Sequence, residues 1–409
     1  MINLTVLIIA AIMALGSNLN AAGFRLGEQD AKANAMGNSF VAVADNASAV
    51  WYNPAAMTGL EGTNLSLGSV MVYPTMKHEF AGGSDSIAKV MHVPPYFYAT
   101  HKLNDKWALG LGFNAPFGLS TNWNTVSHAA DVATLSDIKT YNYNLNGAYK
   151  LNDKISFGLG VDYASLDATL DRMVGSNEMK LTGDGTGWGY NAAAFYKHND
   201  KLTFGANFRS PVKINVDGRA KVAALGASGN NSATTKITLP DTFQIGAAYK
   251  ANEKWLVSAT ADYTDWATYH ALIVKSNTIT ALTTYLNSVT PGGYPISNTV
   301  NEQKDWSSVW ALRAGTEYNY SEAWKLRAGA FYDFNPVSEK HFDTLIPDSD
   351  RVAVSIGAGY TKNSITVDVS YAYLMFVDRT ISNNLNSTTV NGKYKASAQL
   401  PSIGVSYKF

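Results

Sequence analysis

From Thr63 to its last residue this chain alternates large apolar residues with small or polar ones. In Ile155-Ser156-Phe157-Gly158-Leu159-Gly160-Val161-Asp162-Tyr163 the odd positions are bulky and the even positions are Ser, Gly, Gly and Asp. The same scheme returns in Trp255–Tyr263, Trp310–Tyr318, Val352–Tyr360 and Ile365–Tyr373. A period of two puts one set of side chains on each face of a strand. The bulky face is either the core of a soluble sandwich or the lipid-facing wall of a membrane barrel, and alternation alone does not separate them. After the N-terminal region no apolar run is long enough for a membrane helix. If the chain spans a membrane, it spans as a closed β-barrel, since lipid offers no partner to unpaired backbone groups.

The turns distinguish the two cases. Leu103-Asn104-Asp105-Lys106 recurs as Leu151-Asn152-Asp153-Lys154, and Asn199-Asp200-Lys201, Asn252-Glu253-Lys254, Ser321-Glu322-Ala323 and Lys362-Asn363-Ser364 take equivalent places. Asn and Asp form tight local turns. Between these lie long connections, such as Trp123–Ser136, Ala220–Thr234 and Ala271–Lys304. Short turns on one side and long loops on the other are the asymmetry of an outer-membrane barrel, and counting hairpins gives roughly 14 strands, an even number. Charged residues make up 16 % of the chain and aromatics 12 %, a mix that suits aromatic rings at a membrane interface better than a large soluble enzyme. Within the long loops, Ile279, Leu282, Leu286 and Val289, and again Val126, Ala129, Ala130 and Ala133, recur at helical spacing.

Residues 1–21 read as a signal peptide. Leu4–Leu15 is apolar apart from Thr5, too short to cross a bilayer, and Ala21 offers a small residue at the cleavage position. Residues 22–62 are rich in small residues and do not alternate; they read as a plug inside the barrel formed by 63–409. At the far end Ile403, Val405, Tyr407 and the terminal Phe409 alternate, in the manner of the last-strand signal that the outer-membrane assembly machinery reads.

Formal net charge is zero, which gives no argument for nucleic acid. There are no cysteines. The seven His are scattered, and no Gly-x-Ser-x-Gly elbow, His-Glu-x-x-His or phosphate loop is present. The expectation is therefore no catalytic residues, no metal and no cofactor.

These features, in order, resemble the outer-membrane long-chain fatty acid transporter (FadL) family, which includes aromatic hydrocarbon transporters. The similarity is carried by Ala22-Gly23-Phe24-Arg25-Leu26, by Ala44-Asp45-Asn46-Ala47-Ser48 with Tyr52-Asn53-Pro54-Ala55-Ala56-Met57, and by Phe208–Lys213, Leu239-Pro240-Asp241, Leu326–Gly329, Phe331–Val337, Ile346–Arg351 and Gly357–Tyr360. The resemblance implies an all-β fold: a 14-stranded antiparallel transmembrane β-barrel with an N-terminal hatch in the lumen. It implies passive transport of hydrophobic small molecules, above all long-chain fatty acids. Partners would be the lipid bilayer and lipopolysaccharide. An aromatic hydrocarbon channel and a non-selective porin are the alternatives.

The resemblance also implies roles for particular residues. Asn53, Pro54 and Ala55 form the hatch motif. Alternation along Trp107-Leu109-Leu111-Phe113 breaks at Asn114, and Pro116 and Gly118 suit broken pairing; this would be a lateral opening in the third strand. Arg172, inward if the register of 155–163 continues, resembles a basic residue of the fatty-acid pocket. Lys304 resembles a second, although strict alternation would point it outward. The same counting places Arg209, Lys213, Arg313 and Arg327 inward, as a lumenal charge network that holds the plug or as further ligand groups.

Overall fold

The computed structural model describes residues 23–289, 293 and 295–409; the segment read as a signal peptide lies outside them. The strands form one closed antiparallel barrel of 14 strands. Several strands are two segments in line. We number them β1 (Thr63–Val70 with Tyr73–Phe80), β2 (Gly83–Ser86 with Pro95–Lys102), β3 (Trp107–Asn114 with Gly118–Asn122), β4 (Leu135–Lys150), β5 (Ile155–Val174), β6 (Asn177–Lys197) and β7 (Leu202–Arg209 with Val212–Val222). There follow β8 (Asn230–Leu239 with Thr242–Lys250), β9 (Trp255–Thr264 with Ala271–Ser276), β10 (Thr299–Gln303 with Val309–Asn319), β11 (Trp324–Asp333), β12 (Arg351–Lys362), β13 (Ile365–Phe376) and β14 (Gly392–Lys408). β14 returns to β1, with Asn64 opposite Lys408, and closes the sheet. Closure leaves no edge, which is what a lipid environment requires.

The alternation resolves as a lipid-facing wall. Phe157, Leu159 and Val161 are exposed on the outside while Ser156, Gly158 and Asp162 are turned inward. Ile403, Val405, Tyr407 and Phe409 are likewise exposed. Aromatic pairs ring the barrel at two levels. Trp107–Tyr149, Trp255–Tyr318 and Trp324–Tyr360 mark the lower one. Tyr143–Tyr163, Tyr163–Trp188 and Tyr263–Trp310 mark the upper one. The apolar band lies between these girdles, as in outer-membrane barrels.

At the short turns one local device repeats. Asn104 Oδ1 accepts from the backbone N–H groups of Lys106 and Trp107, and Asn152, Asn199 and Asn252 do the same for the residues two and three further on. Such Asx turns reverse the chain without help from the rest of the fold.

Two expectations about the loops and register need correction. Residues 126–133 form successive turns rather than a helix; Ala129 and Ala133 are buried but Val126 is exposed. Asn277–Val289 is a true helix, α1, and Ile279, Leu282 and Leu286 pack inward under the outer loops. Lys213 is exposed, not inward. Between the segments of β7, Pro211 has no N–H to give and Ser210 bonds back to Tyr190 through both its N–H and its hydroxyl. This irregularity shifts the register by one residue, so Arg209 and Val212 both face in.

Candidate functional site

The N-terminal segment lies within the barrel. It comprises α2 (Ala31–Ala35), α3 (Ala49–Tyr52) and a 3₁₀ helix, Pro54–Gly59, and nearly all of it is buried. Asp30 caps α2 through the N–H of Ala33. Asn53 is 0 % exposed. Its amide donates to the carbonyls of Val41 and Ala194, and its Oδ1 accepts from Ala55. Pro54 sits where a helix start needs no N–H. Pro54 and Ala55 lie so close to β5 that a Cβ on Gly158 would meet Ala55 N at 2.6 Å. Small lumen-facing residues let backbone approach backbone here. Thr58 touches Ser156, next to a short turn, so Asn53-Pro54-Ala55 lies at that end of the lumen.

A ladder of buried ion pairs binds this segment to the wall. Arg25 meets Asp262 at 2.8 Å and Lys32 meets Glu317 at 3.4 Å, while Lys32 also pairs within the plug with the exposed Asp45 at 2.7 Å; Arg327 spans Glu317 and Asp368. Arg313 joins Asp262 to Asp333. Arg209 pairs with Asp162 at 2.7 Å, stacks over Trp51 and donates to its carbonyl. Arg209, Arg313 and Arg327 are thus structural cations with fixed acidic partners: Arg209 binds the plug directly, and Arg313 and Arg327 brace Asp262 and Glu317, the wall carboxylates that Arg25 and Lys32 of the plug meet. Buried pairs are weak stabilisers as units but costly to break singly.

The sharpest irregularity in the barrel is in β3. Trp107–Asn114 pairs with β2 on one side and β4 on the other; Gly118–Asn122 keeps its ladder with β4, and on the β2 side Asn122 O accepts from Ala88 N–H. Over Ala115–Phe117 the β2–β3 ladder is missing, and the plug supplies partners instead. Leu26 N–H donates to Pro116 O at 2.8 Å and Gly118 N–H donates to Phe24 O at 2.9 Å, with Arg25 opposite Phe117. Gln29 completes the clamp: its amide donates to Ala115 O and its Oε1 accepts from Asn114, which is 0 % exposed. Tyr98 and Tyr52 hold Gln29 in turn through its backbone. The structure therefore brings Asn114, Pro116 and Gly118 together with Phe24, Leu26 and Gln29, and not directly with Asn53-Pro54-Ala55. The link between the two runs through Tyr52, the neighbour of Asn53. Phe24–Gln29 carry no local pattern that marks this pairing in the sequence.

Beside the break is a cavity of about 500 Å³. Met76, Ile87, Met91, Phe117, Leu119, Ile138, Leu374 and Phe376 line it, with Arg25, Glu28, Asp333 and Arg351 at its inner wall. Its size is that of a ligand pocket. Phe24 and Phe117 also belong to an aromatic cluster with Trp266, Trp306 and Tyr269, with neighbouring ring centres 4.8–6.3 Å apart. Gly23 is fixed in a left-handed conformation beneath it (φ 73°), its N–H on Asp348 and its carbonyl on Arg351.

On the loop side of this cluster stand Arg172 and Lys304. Arg172 meets Glu302 at 2.5 Å; Lys304 meets Glu302 at 3.3 Å and Asp343 at 2.5 Å. Lys304 is 1 % exposed, so the outward direction that alternation gives is wrong. Asp305 takes φ 46° and breaks the strand between its two segments, which turns Lys304 inward. These groups lie beyond the upper girdle. Burial works against the Lys304 charge, yet Asp343 and Glu302 hold its pKa above the usual lysine value. Burial likewise works against the Glu302 charge, and Lys304 and Arg172 hold its pKa below the usual carboxylate value. Arg172 and Glu302 also line a small apolar pocket of about 20 Å³ with Leu170, Leu181, Leu272, Val300 and Leu345.

Comparison with known proteins agrees with this architecture. Residues 12–409 match the family described as "Outer membrane protein transport protein (OMPP1/FadL/TodX)". The "Long-chain fatty acid transport protein" of Escherichia coli O6:H1 is 26 % identical over 89 % of this chain and 89 % of its own length. Among solved structures, a Pseudomonas aeruginosa FadL homologue superposes with a TM-score of 0.81 at 20 % identity, covering 95 % of this chain and all (100 %) of its own. The Pseudomonas putida toluene transporter TodX does so with 0.72 at 17 % identity, covering 96 % and 99 %.

Proposed function

We propose, from the premise that this chain belongs to the outer membrane protein transport protein family (OMPP1/FadL/TodX), that it carries hydrophobic compounds, foremost long-chain fatty acids, passively across the bacterial outer membrane. Members of this family are transporters in the outer membrane and not enzymes. The observation that carries the reading is the apolar cavity at the β3 break, closed on its inner side by plug residues that complete the strand's own hydrogen bonds.

The proposed path has three stages. A long-chain ligand is captured on the loop side, its tail among Leu170, Leu181 and Leu272 and its carboxylate toward Arg172 and Lys304. Each CH₂ removed from water contributes about 0.8 kcal/mol, so a long chain supplies ample affinity from dilute solution. Phe24 and Phe117 then stand between this pocket and the larger cavity; withdrawal of Gly23–Gln29 opens the way. The same withdrawal takes the partners from Pro116 and Gly118, and the ligand leaves sideways between β2 and β3 into the bilayer. In this reading residues 22–62 are the hatch. Asn53, Pro54 and Ala55 fix its base against β5 and β6, so ions do not pass while Gln29 and its neighbours move. Outside the protein, lipopolysaccharide meets the loop side, and Phe409 is the residue presented to the assembly machinery.

The aromatic hydrocarbon reading keeps one specific support: Arg172 and Lys304 both already face carboxylates, an arrangement that suits a ligand without charge. Uptake by a host lacking its own transporter distinguishes the two. Oleate uptake that depends on this protein and falls in Arg172→Ala, with toluene uptake unaffected, is the expected result. Toluene uptake without oleate uptake favours the second reading. A large, steady ion current through the intact protein in a planar bilayer contradicts both and indicates a porin.

A further inference from the structure

We propose that Glu302 is a resident carboxylate: it occupies the seat of the ligand's headgroup on Arg172, and an incoming fatty acid must displace it. This inference rests on the transport reading above. Three observations carry it. First, charge is balanced at the site. Arg172 and Lys304 face Glu302 and Asp343, two cations against two carboxylates, so a third carboxylate would arrive, among the described residues, at cations already paired. An uncompensated charge in a buried apolar site is strongly disfavoured.

Second, the two carboxylates are held differently. Asp343 is nearly inaccessible, and its second oxygen accepts the N–H of Ile346. It is part of the chain's own folding. Among the described residues the Glu302 side chain bonds only to the two cations, and that side chain, 19 % exposed, faces the apolar pocket with that of Arg172. Of the two, Glu302 is the one a ligand can replace at small structural cost. Third, the pocket beside it is narrow, with room for about one water. A chain enters only by parting Leu170, Leu272 and Val300, and the turning away of Glu302 begins that opening.

The consequence is tuned affinity. A bidentate site for a carboxylate inside an apolar slot would hold a fatty acid too long for transport. Exchange with Glu302 returns part of that energy and speeds release. Ligands with a neutral end need no exchange, so Glu302 sets the preference between the two classes.

The test compares purified full-length protein with Glu302→Gln, titrated with oleate and with methyl oleate. The expected result is oleate affinity at least about tenfold higher in Glu302→Gln, methyl oleate affinity changed by less than about twofold, and slower dissociation of oleate; adding Arg172→Ala abolishes the gain. Glu302→Ala removes the same carboxylate by truncation and gives the same pattern, so a folding failure of one variant leaves the other to decide. Oleate affinity unchanged or reduced in both variants overturns the proposal, because Glu302 then only positions Arg172. If neither ligand binds even the unaltered protein, the transport reading fails first and this inference with it.

Discussion

Gln29→Ala removes the side chain that clamps the plug to the broken strand. Three hydrogen bonds disappear: Gln29 to Leu26 O at 2.8 Å, Gln29 to Ala115 O at 3.1 Å, and Asn114 to Gln29 Oε1 at 3.1 Å. Asn114 and Ala115 are buried, so their freed groups have no ready solvent. Two of these bonds cross to β3; at a net loss of about 0.5–1.5 kcal/mol each, the clamp weakens by about 1–3 kcal/mol. At 1.4 kcal/mol per decade, the population with the clamp open rises roughly 5- to 140-fold. Native-state hydrogen exchange reads this directly. The amides of Leu26 and Gly118 bond across the clamp, to Pro116 O and Phe24 O, and exchange only when it opens. They should exchange faster by that factor, while amides of β11 and β12 keep their rates. Unchanged exchange at Leu26 and Gly118 would refute the view that Gln29 holds the plug against β3.

Gly158→Val places a side chain where Ala55 N and the Pro54 backbone already lie, at 2.6–2.8 Å from the new Cβ. The barrel should still assemble, shown by heat-modifiable mobility, but the plug base should be displaced and ion current in a planar bilayer should rise; an unchanged current would mean this contact does not seal the lumen. The cluster at Glu302 predicts a pH response outside the membrane band. The folded-state pKa of Glu302 is depressed below 4.5, so its contribution is present above that value and lost as pH falls through the depressed one; that of Lys304 is raised above 10.5, so its contribution persists through neutral pH and is lost only in strong alkali. Acidification below pH 4.5 should therefore loosen the paired outer segments 271–276 and 299–304, measured as proteolysis or hydrogen exchange there, before the barrel wall is affected.

What the sequence made legible was what depends on neighbouring residues. The period of two, the Asn-centred turns and the alternating C-terminus each act within a few positions, and together they led to the 14-stranded barrel. The helix at Asn277–Val289 was readable because its apolar face is continuous, whereas Ala129, Ala130 and Ala133 are too small to demand one and settle as buried turns. Errors arose where alternation was carried across a break: Lys213 beyond Ser210-Pro211, and Lys304 before the left-handed Asp305. The clamp was not legible at all. Gln29 and Asn114 are 85 positions apart, and Phe24, Phe117, Trp266 and Trp306 meet only because the plug lies inside the barrel. Nor does a count of basic residues show that Arg172 and Lys304 share Glu302.

The central claim is that the plug must leave β3 before a hydrophobic ligand can leave the protein. Arg25 and Phe117 are directly opposed between two backbone hydrogen bonds, the pairing in which Cα atoms lie about 4.5 Å apart, within reach of a disulfide. The chain has no cysteine of its own, so Arg25→Cys with Phe117→Cys gives a single, reversible lock. Oleate uptake by cells carrying this double variant, measured oxidised and then reduced in the same preparation, should be abolished by oxidation and restored by reduction, with oleate binding retained in both states. Equal uptake by the oxidised and reduced forms would contradict the claim.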